Sequence, residues 1–314
     1  MSMIECYEPD FVRAFLSHHP DSVLKTQMVF ENEIRQSLTL TTAASCKAAL
    51  GAADAFSLHV TQCDAIPNAS PLSARQQTLN QAALNVITLP GLSEELRLYA
   101  LGIMVSYSDK LTDESPETLS QLAAIPQGLA AHAEAGRLQQ QFARLPTITQ
   151  LQCQLLTRLG GLALDWDSLP ESPRRQTLQL QVSLLMLQDA NSEALLQQQL
   201  ATQWQTTRER YFAPSPWVLN NYLIYRLYHD TFPQQAGADT AECYFTLVTD
   251  YFLLRTLFSL WTLEGSSLNQ EEIFAIFALF ERWRYSEDAA LTRLQIRQAL
   301  PADPLLCAFS LLTL

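Results

Sequence analysis

Two adjacent asparagines, Asn220 and Asn221, interrupt an aromatic and aliphatic run from Ser215 to Pro233. With helical residues about 100° apart, Trp217, Asn221, Tyr225, Tyr228 and Phe232 share one side. Leu219, Arg226 and Asp230 fall on the other, so only a narrow stripe reads as wet. A carboxamide among rings must find hydrogen-bond partners. It reads either as a clamp on a neighbouring backbone or as a polar group lining a ligand or peptide pocket. Asp250 poses the same choice, placed by helical spacing near Cys243, Leu257 and Trp261. A carboxylate there calls for a partner such as an arginine, and a perturbed one marks a site. Trp217, Asn220, Asn221, Tyr225 and Asp250 are therefore the candidate binding residues, and no catalytic residue is assigned.

Other chemistry-bearing groups read as structural. Gly160-Gly161 with Asp165 and Asp167 lacks the preceding strand and the G-x-G-x-x-G spacing of a dinucleotide loop, and reads as a helix stop. Neighbouring His18 and His19 point apart on regular structure and have no thiolate or carboxylate at metal-ligand spacing. No metal site is therefore expected. His229 and Asp230 close the helix, where an imidazolium suits the dipole. No G-x-S-x-G, H-E-x-x-H or P-loop occurs.

The elements that must carry these residues are helices. Leu, Ala and Gln are abundant, and the 314 residues include only 9 glycines, which favours helix over sheet. The prolines around the 215–233 run mark a helix from Pro216 to Phe232. Further helices are expected at 43–50, 73–89, 93–110, 117–145 with interruptions at Pro126 and Gly136, and 147–159. The series continues at 174–187, 192–211, 240–263 and 271–285, with two short helices on either side of Pro301. Ser93 with its following acids and the Asn269/Glu272 pair are N-terminal caps. Residues 1–26 read as irregular, and 37–41 as a short strand. The glutamine triplets at 139–141 and 197–199 read as surface decoration. The expected fold is an all-α, multi-helix globular array with an aromatic-rich C-terminal helical core. Its segments are an N-terminal stretch 1–66, a helical region 67–213 and the aromatic region 214–314, with 67–314 forming one packed body.

The formal net charge is −12, with lysine only at 25, 47 and 110. Such a surface repels phosphate backbones and anionic lipid, which argues against nucleic-acid binding. Six dispersed cysteines without a C-x-x-C pair read as core thiols of a reducing compartment. The run 244–263 could span a bilayer by length. Asp250 and Arg255 near its middle would each cost roughly 2.5–3.5 kcal/mol there. No secretory signal is evident at the N-terminus, and the reading is cytoplasmic.

These residues also carry a resemblance. Ser215-Pro216-Trp217-Val218-Leu219-Asn220-Asn221-Tyr222, the closing Phe232-Pro233 and the aromatic helix Tyr244–Trp261 resemble the C-terminal half of the FliB-type flagellin lysine-N-methylases. Glu8–Phe15 is similar to that family's opening, and Glu33–Leu40 to the segment after its cysteine-rich region. The resemblance implies methyl transfer from S-adenosylmethionine to flagellin lysines, and an N-terminal cysteine cluster holding an iron–sulfur centre. Between Phe15 and Met28, where the family carries closely spaced cysteines, this chain has His18, His19 and no cysteine. No family catalytic residue maps onto it, and neither an iron–sulfur cluster nor another cofactor is expected. The expectation is a shortened relative that binds flagellin or another flagellar or secretion partner. The alternatives are an active S-adenosylmethionine-dependent protein-lysine methyltransferase, or an unrelated helical adaptor or secretion chaperone.

Overall fold

The computed structural model describes residues 3–233 and 239–313, the side chains of 190 and 191 excepted. The fold is mostly helical: fourteen α-helices and a small four-stranded sheet among the described residues. The chain divides into two compact units, each assembled from separated segments. Unit 1 comprises 1–40, 44–140 and 217–243; unit 2 comprises 41–43, 141–216 and 244–314. These borders differ from the expected segment ends at 66/67 and 213/214.

Unit 1 opens with the sheet. Strands β1 (Met3–Pro9), β2 (Lys25–Val29), β3 (Glu33–Leu38) and β4 (Leu58–Asp64) lie in the order β2-β3-β1-β4. β1 runs parallel to β3 and antiparallel to β4, and β2 is antiparallel to β3. The stretch expected to be irregular, 1–26, instead holds regular structure from Met3 to His18: β1 is followed by helix α1 (Asp10–His18), fitted between Pro9 and Pro20. The expected strand at 37–41 lies a few residues earlier, because β3 ends at Leu38. Ile4, Cys6 and Ile34 form a small core on the sheet, the alternation a half-buried strand requires.

The helices of unit 1 follow the caps. After α2 (Ala43–Leu50), α3 (Ala74–Ile87) starts with a reciprocal capping box between Ser73 and Gln76. Ser93 caps α4 (Glu94–Ser108) by accepting from the Leu96 N–H at 3.3 Å. α5 (Pro116–Glu134) runs unbroken through Pro126, contrary to the expected interruption. The break falls at Gly136, whose φ of +68° suits a residue without a Cβ. α6 (Arg137–Phe142) follows, and α10 (Trp217–His229) completes the unit.

Unit 2 holds α7 (Thr149–Gly160), α8 (Pro173–Leu184) and α9 (Ala190–Thr207). It continues with α11 (Thr240–Thr262, from Tyr244 on), α12 (Gln270–Arg284), α13 (Glu287–Gln298) and α14 (Pro304–Leu312). Asn269 and Glu272 form the expected capping box of α12. The aromatic helices were expected in one C-terminal region; α10 instead belongs to unit 1, and most of α11 with all of α12 to unit 2. Within unit 2, Phe258 meets Phe212 and Phe277 edge-on at 5.1 and 5.2 Å between ring centres, and Trp204 lies 5.8 Å from Phe212. Such pairs add about 0.5–1.5 kcal/mol each beyond area burial. No helix among the described residues is long and apolar enough to cross a membrane.

Gln152 pins α7 in place. It is fully buried, donates to the Ser310 carbonyl at 2.9 Å and accepts from Gln197 at 2.6 Å. Gln197, expected to decorate the surface, is instead part of this clamp. At the far end of α7, Gly160 and Gly161 do stop the helix. A Cβ on Gly160 would stand 2.7 Å from Met186 Cγ and 2.9 Å from the Val182 carbonyl oxygen. Gly160→Ala is therefore expected to destabilise the protein by about 1–3 kcal/mol through overpacking against backbone. A thermal melt unchanged from the parent would contradict this.

Candidate functional site

The sequence singled out α10, and unit 1 explains its residues one by one. Trp217 donates its indole N–H to the Gly51 carbonyl at 3.2 Å, and Asn221, 2 % exposed, donates to the Ala52 carbonyl at 2.7 Å. Tyr225 donates to the Leu38 carbonyl at 3.0 Å and stacks on His229, whose ring pairs with the Ser37 hydroxyl at 2.8 Å. Asn220 is half-buried, and its Oδ1 accepts from Arg97 at 2.7 Å. Burial holds the Arg97 guanidinium below its ordinary pKa. These four candidates fasten α10 to residues 38–52 and 97.

The stripe of α10 expected to be wet is largely buried. Leu219 and Arg226 are buried, and Arg226 pairs with Asp230 at 3.0 Å, one helical turn on, with its guanidinium over the Tyr222 ring. A guanidinium can pack its planar face and stem against rings while its edge finds a carboxylate. That possibility makes Arg a weak marker of exposure.

A buried ionic cluster went unrecognised. On β3, Arg35 pairs with Glu33 at 2.5 Å and donates to Asn80 Oδ1 at 2.7 Å; all three are buried. Asn80 in turn donates to the Leu227 and Phe232 carbonyls at 2.9 and 2.8 Å, so α3 grips the C-terminal end of α10. Gln77 donates to the second Glu33 oxygen at 3.1 Å, and Arg35 lies over the Tyr228 ring. Burial raises the Tyr228 pKa, and its hydroxyl donates to the Tyr7 carbonyl at 3.2 Å. Tyr7 is pushed up to about 12, chiefly by its hydrogen bond to Glu5.

Asp250, the fifth candidate, belongs to unit 2. It is fully buried and accepts from Arg293 at 2.8 Å, the arginine partner its position called for. Arg293 lies over Trp283, 5.6 Å from the ring centre, and Trp283 donates to Asp288 at 2.8 Å. Nearby in the chain, buried Glu281 pairs with Arg284 at 2.8 Å. The candidate residues thus divide between the two units, four in one and Asp250 in the other.

A cleft of about 840 Å³ lies elsewhere in unit 2, walled by α7, the start of α9 and α13. Leu151, Leu155, Leu162 and Ile296 form buried apolar floor, while Met186 and Leu291 are exposed on the wall. Glu193, Asp288 and Arg158 supply its charges. Glu193 accepts from Thr157 at 2.8 Å, and Arg158 donates to Gln295 at 3.0 Å. Cys153 also lines it; burial, and then the Glu193 charge, push its thiol pKa up, which keeps it protonated and unreactive. Residues flanking 160–161 and 293 therefore meet here, although neither helix advertised a pocket in sequence.

An iron–sulfur cluster requires several converging thiolates. The six cysteines are distributed over β1, α2, β4, α7, α11 and α14, and Cys6 and Cys63, on adjacent strands, interact. No group of three or more His, Cys, Asp or Glu that could hold a metal ion occurs among the described residues.

With the helical body and its polar clamps in view, the class of protein is set by comparison with known families. The family model described as the FliB lysine N-methylase C-terminal domain matches residues 80–297. This chain belongs to that family. It is 22% identical over 282 residues to a lysine-N-methylase of Salmonella choleraesuis strain SC-B67, covering 88% of this chain and 70% of the relative. The lysine-N-methylase of Salmonella typhimurium strain LT2 matches with the same identity and coverage. No solved structure matches the chain.

Proposed function

We propose that this member of the family is a cytoplasmic protein that binds flagellin, or another flagellar or secretion protein, without a catalytic centre of its own. One observation carries the reading. The family match at 80–297 covers both helical units, yet the candidate polar residues within it are engaged in holding the fold. The segment where the family resemblance calls for a cysteine cluster offers His18 and His19 instead. The acidic surface and the buried thiols suit a soluble partner protein in a reducing compartment.

The test is capture. Immobilised protein is expected to retain flagellin from a flagellated-cell lysate, identified by mass spectrometry, and no methyl transfer from labelled S-adenosylmethionine is expected. Failure to retain flagellin or any flagellar or secretion protein would sink the reading. Transfer of label to flagellin lysines would replace it with the second reading, an active S-adenosylmethionine-dependent protein-lysine methyltransferase. The names of the Salmonella relatives favour that alternative.

A further inference from the structure

The register of the unit 1 sheet brings together two thiols that are far apart in the chain. Cys6 on β1 lies opposite Thr61 of β4, and Cys63 lies opposite Ile4, so the two cysteines occupy diagonal positions on one face. Both belong to the small core on that face: Cys6 is buried in it, and the half-buried Cys63 packs against it. Their side chains are in hydrogen-bonding contact, and Gln36 of β3 donates to the Cys6 sulfur at 3.6 Å.

A disulfide usually spans about 4.4–6.8 Å between Cα atoms. Diagonal neighbours across an antiparallel pair start from about 7–8 Å. Closing a bridge here therefore needs β1 and β4 to draw slightly closer. β4 can give, because it is an edge of the sheet and most of its residues are exposed. Burial, then the neighbouring Cys6 and the Asp64 charge, push the Cys63 thiol up, so at neutral pH the pair rests as protonated thiols. A bridge that is both strained and partly exposed is of the readily reducible kind.

We propose that Cys6 and Cys63 form a redox-sensitive clamp, a disulfide between β1 and β4 that hydrogen peroxide closes and glutathione reopens. Cys63, the more exposed thiol, meets the oxidant first. Its thiolate attacks one peroxide oxygen and the O–O bond breaks, leaving a sulfenic acid on Cys63. The departing hydroxide takes up the proton that Cys63 released and leaves as water. The Cys6 thiolate then attacks the Cys63 sulfur, the S–O bond breaks, and the second hydroxide leaves as water with the Cys6 proton. Two thiols are oxidised to one disulfide, and one peroxide is reduced to two waters. Reopening takes two glutathione thiols and releases glutathione disulfide. The closed clamp ties β1 to the sheet edge beside Tyr7, whose carbonyl accepts from Tyr228 of α10 at 3.2 Å, so it bears on the seat of that helix.

The experiment treats the full folded chain with hydrogen peroxide, alkylates the remaining thiols and maps its peptides without reduction. A Cys6 peptide linked to the Cys63 peptide is expected, with alkylation lost at these two sites and kept at the other cysteines. Excess reduced glutathione is expected to restore both thiols. Hydrogen exchange of the β4 amides is expected to slow in the bridged form. Cys63→Ser should leave Cys6 open to alkylation after the same treatment. Cys6→Ser should leave a Cys63 sulfenic acid that dimedone traps. Oxidation of Cys63 to sulfinic acid, or a bridge between two chains, in place of the internal link overturns the proposal. So does a link that forms only in urea, one that glutathione does not open, or one that leaves β4 exchange unchanged.

Discussion

Removing the Asp250 carboxylate is expected to cost about 3–5 kcal/mol of stability, because Arg293 is left as a charge whose buried partner is gone. Asp250 is completely sequestered, whereas the Arg293 side chain keeps 16% of its surface in solvent. Partial hydration of the guanidinium, and its seat over Trp283, place Asp250→Ala toward the lower end of that range. Asp250→Asn keeps the shape and one acceptor, so it should lose less. Urea unfolding with an unchanged m-value reads the difference directly. An Asp250→Ala midpoint equal to the parent's would show that the pair does not contribute to the folded state.

Arg35→Met is expected to be as damaging in unit 1, again by about 3–5 kcal/mol. It strips Glu33, 3% exposed, of its counter-charge and leaves Gln77 as its remaining side-chain donor. Asn80 would lose the donor to its Oδ1 while its amide still holds the Leu227 and Phe232 carbonyls. The loss should therefore come from the stranded carboxylate more than from a loosened α10. The double variant Glu33→Leu/Arg35→Met tests this: it removes both charges and should recover much of the single-variant loss. A double variant less stable than Arg35→Met would mean that the polar cluster itself, and not an unpaired charge, is what the sheet requires.

Much of the helical body was legible because its signals are local. Ser93, the Asn269/Glu272 box and the Gly160-Gly161 stop all act within one turn of the residues they govern. The sheet was not, for two opposite reasons. β4 is exposed on both faces over most of its length, so it shows no alternation; β3 is buried on both, yet carries Glu33 and Arg35 where apolar residues are the norm. Periodicity placed Asn221 and Asp250 among buried residues, and it could not say what they touch. Asn221 meets a carbonyl 169 positions earlier, and Asp250 an arginine 43 positions later. The cleft was invisible for the same reason, since its walls come from three helices whose individual patterns are unremarkable. Its best sequence trace was Gly160, which permits the close approach of the 182–186 segment.

The interleaving of the two units carries a consequence for the chain as it leaves the ribosome. Unit 1 has its sheet and helices α1 to α6 synthesised early, but its closing piece, 217–243, arrives only after the 141–216 stretch of unit 2. At about 5–20 residues per second, the pause is several seconds or longer. Throughout it, the carbonyls of Leu38, Gly51 and Ala52 and the amide of Asn80 await α10. During synthesis, unit 1 is a latch held open, and α10, Trp217–His229, is the bolt that shuts it.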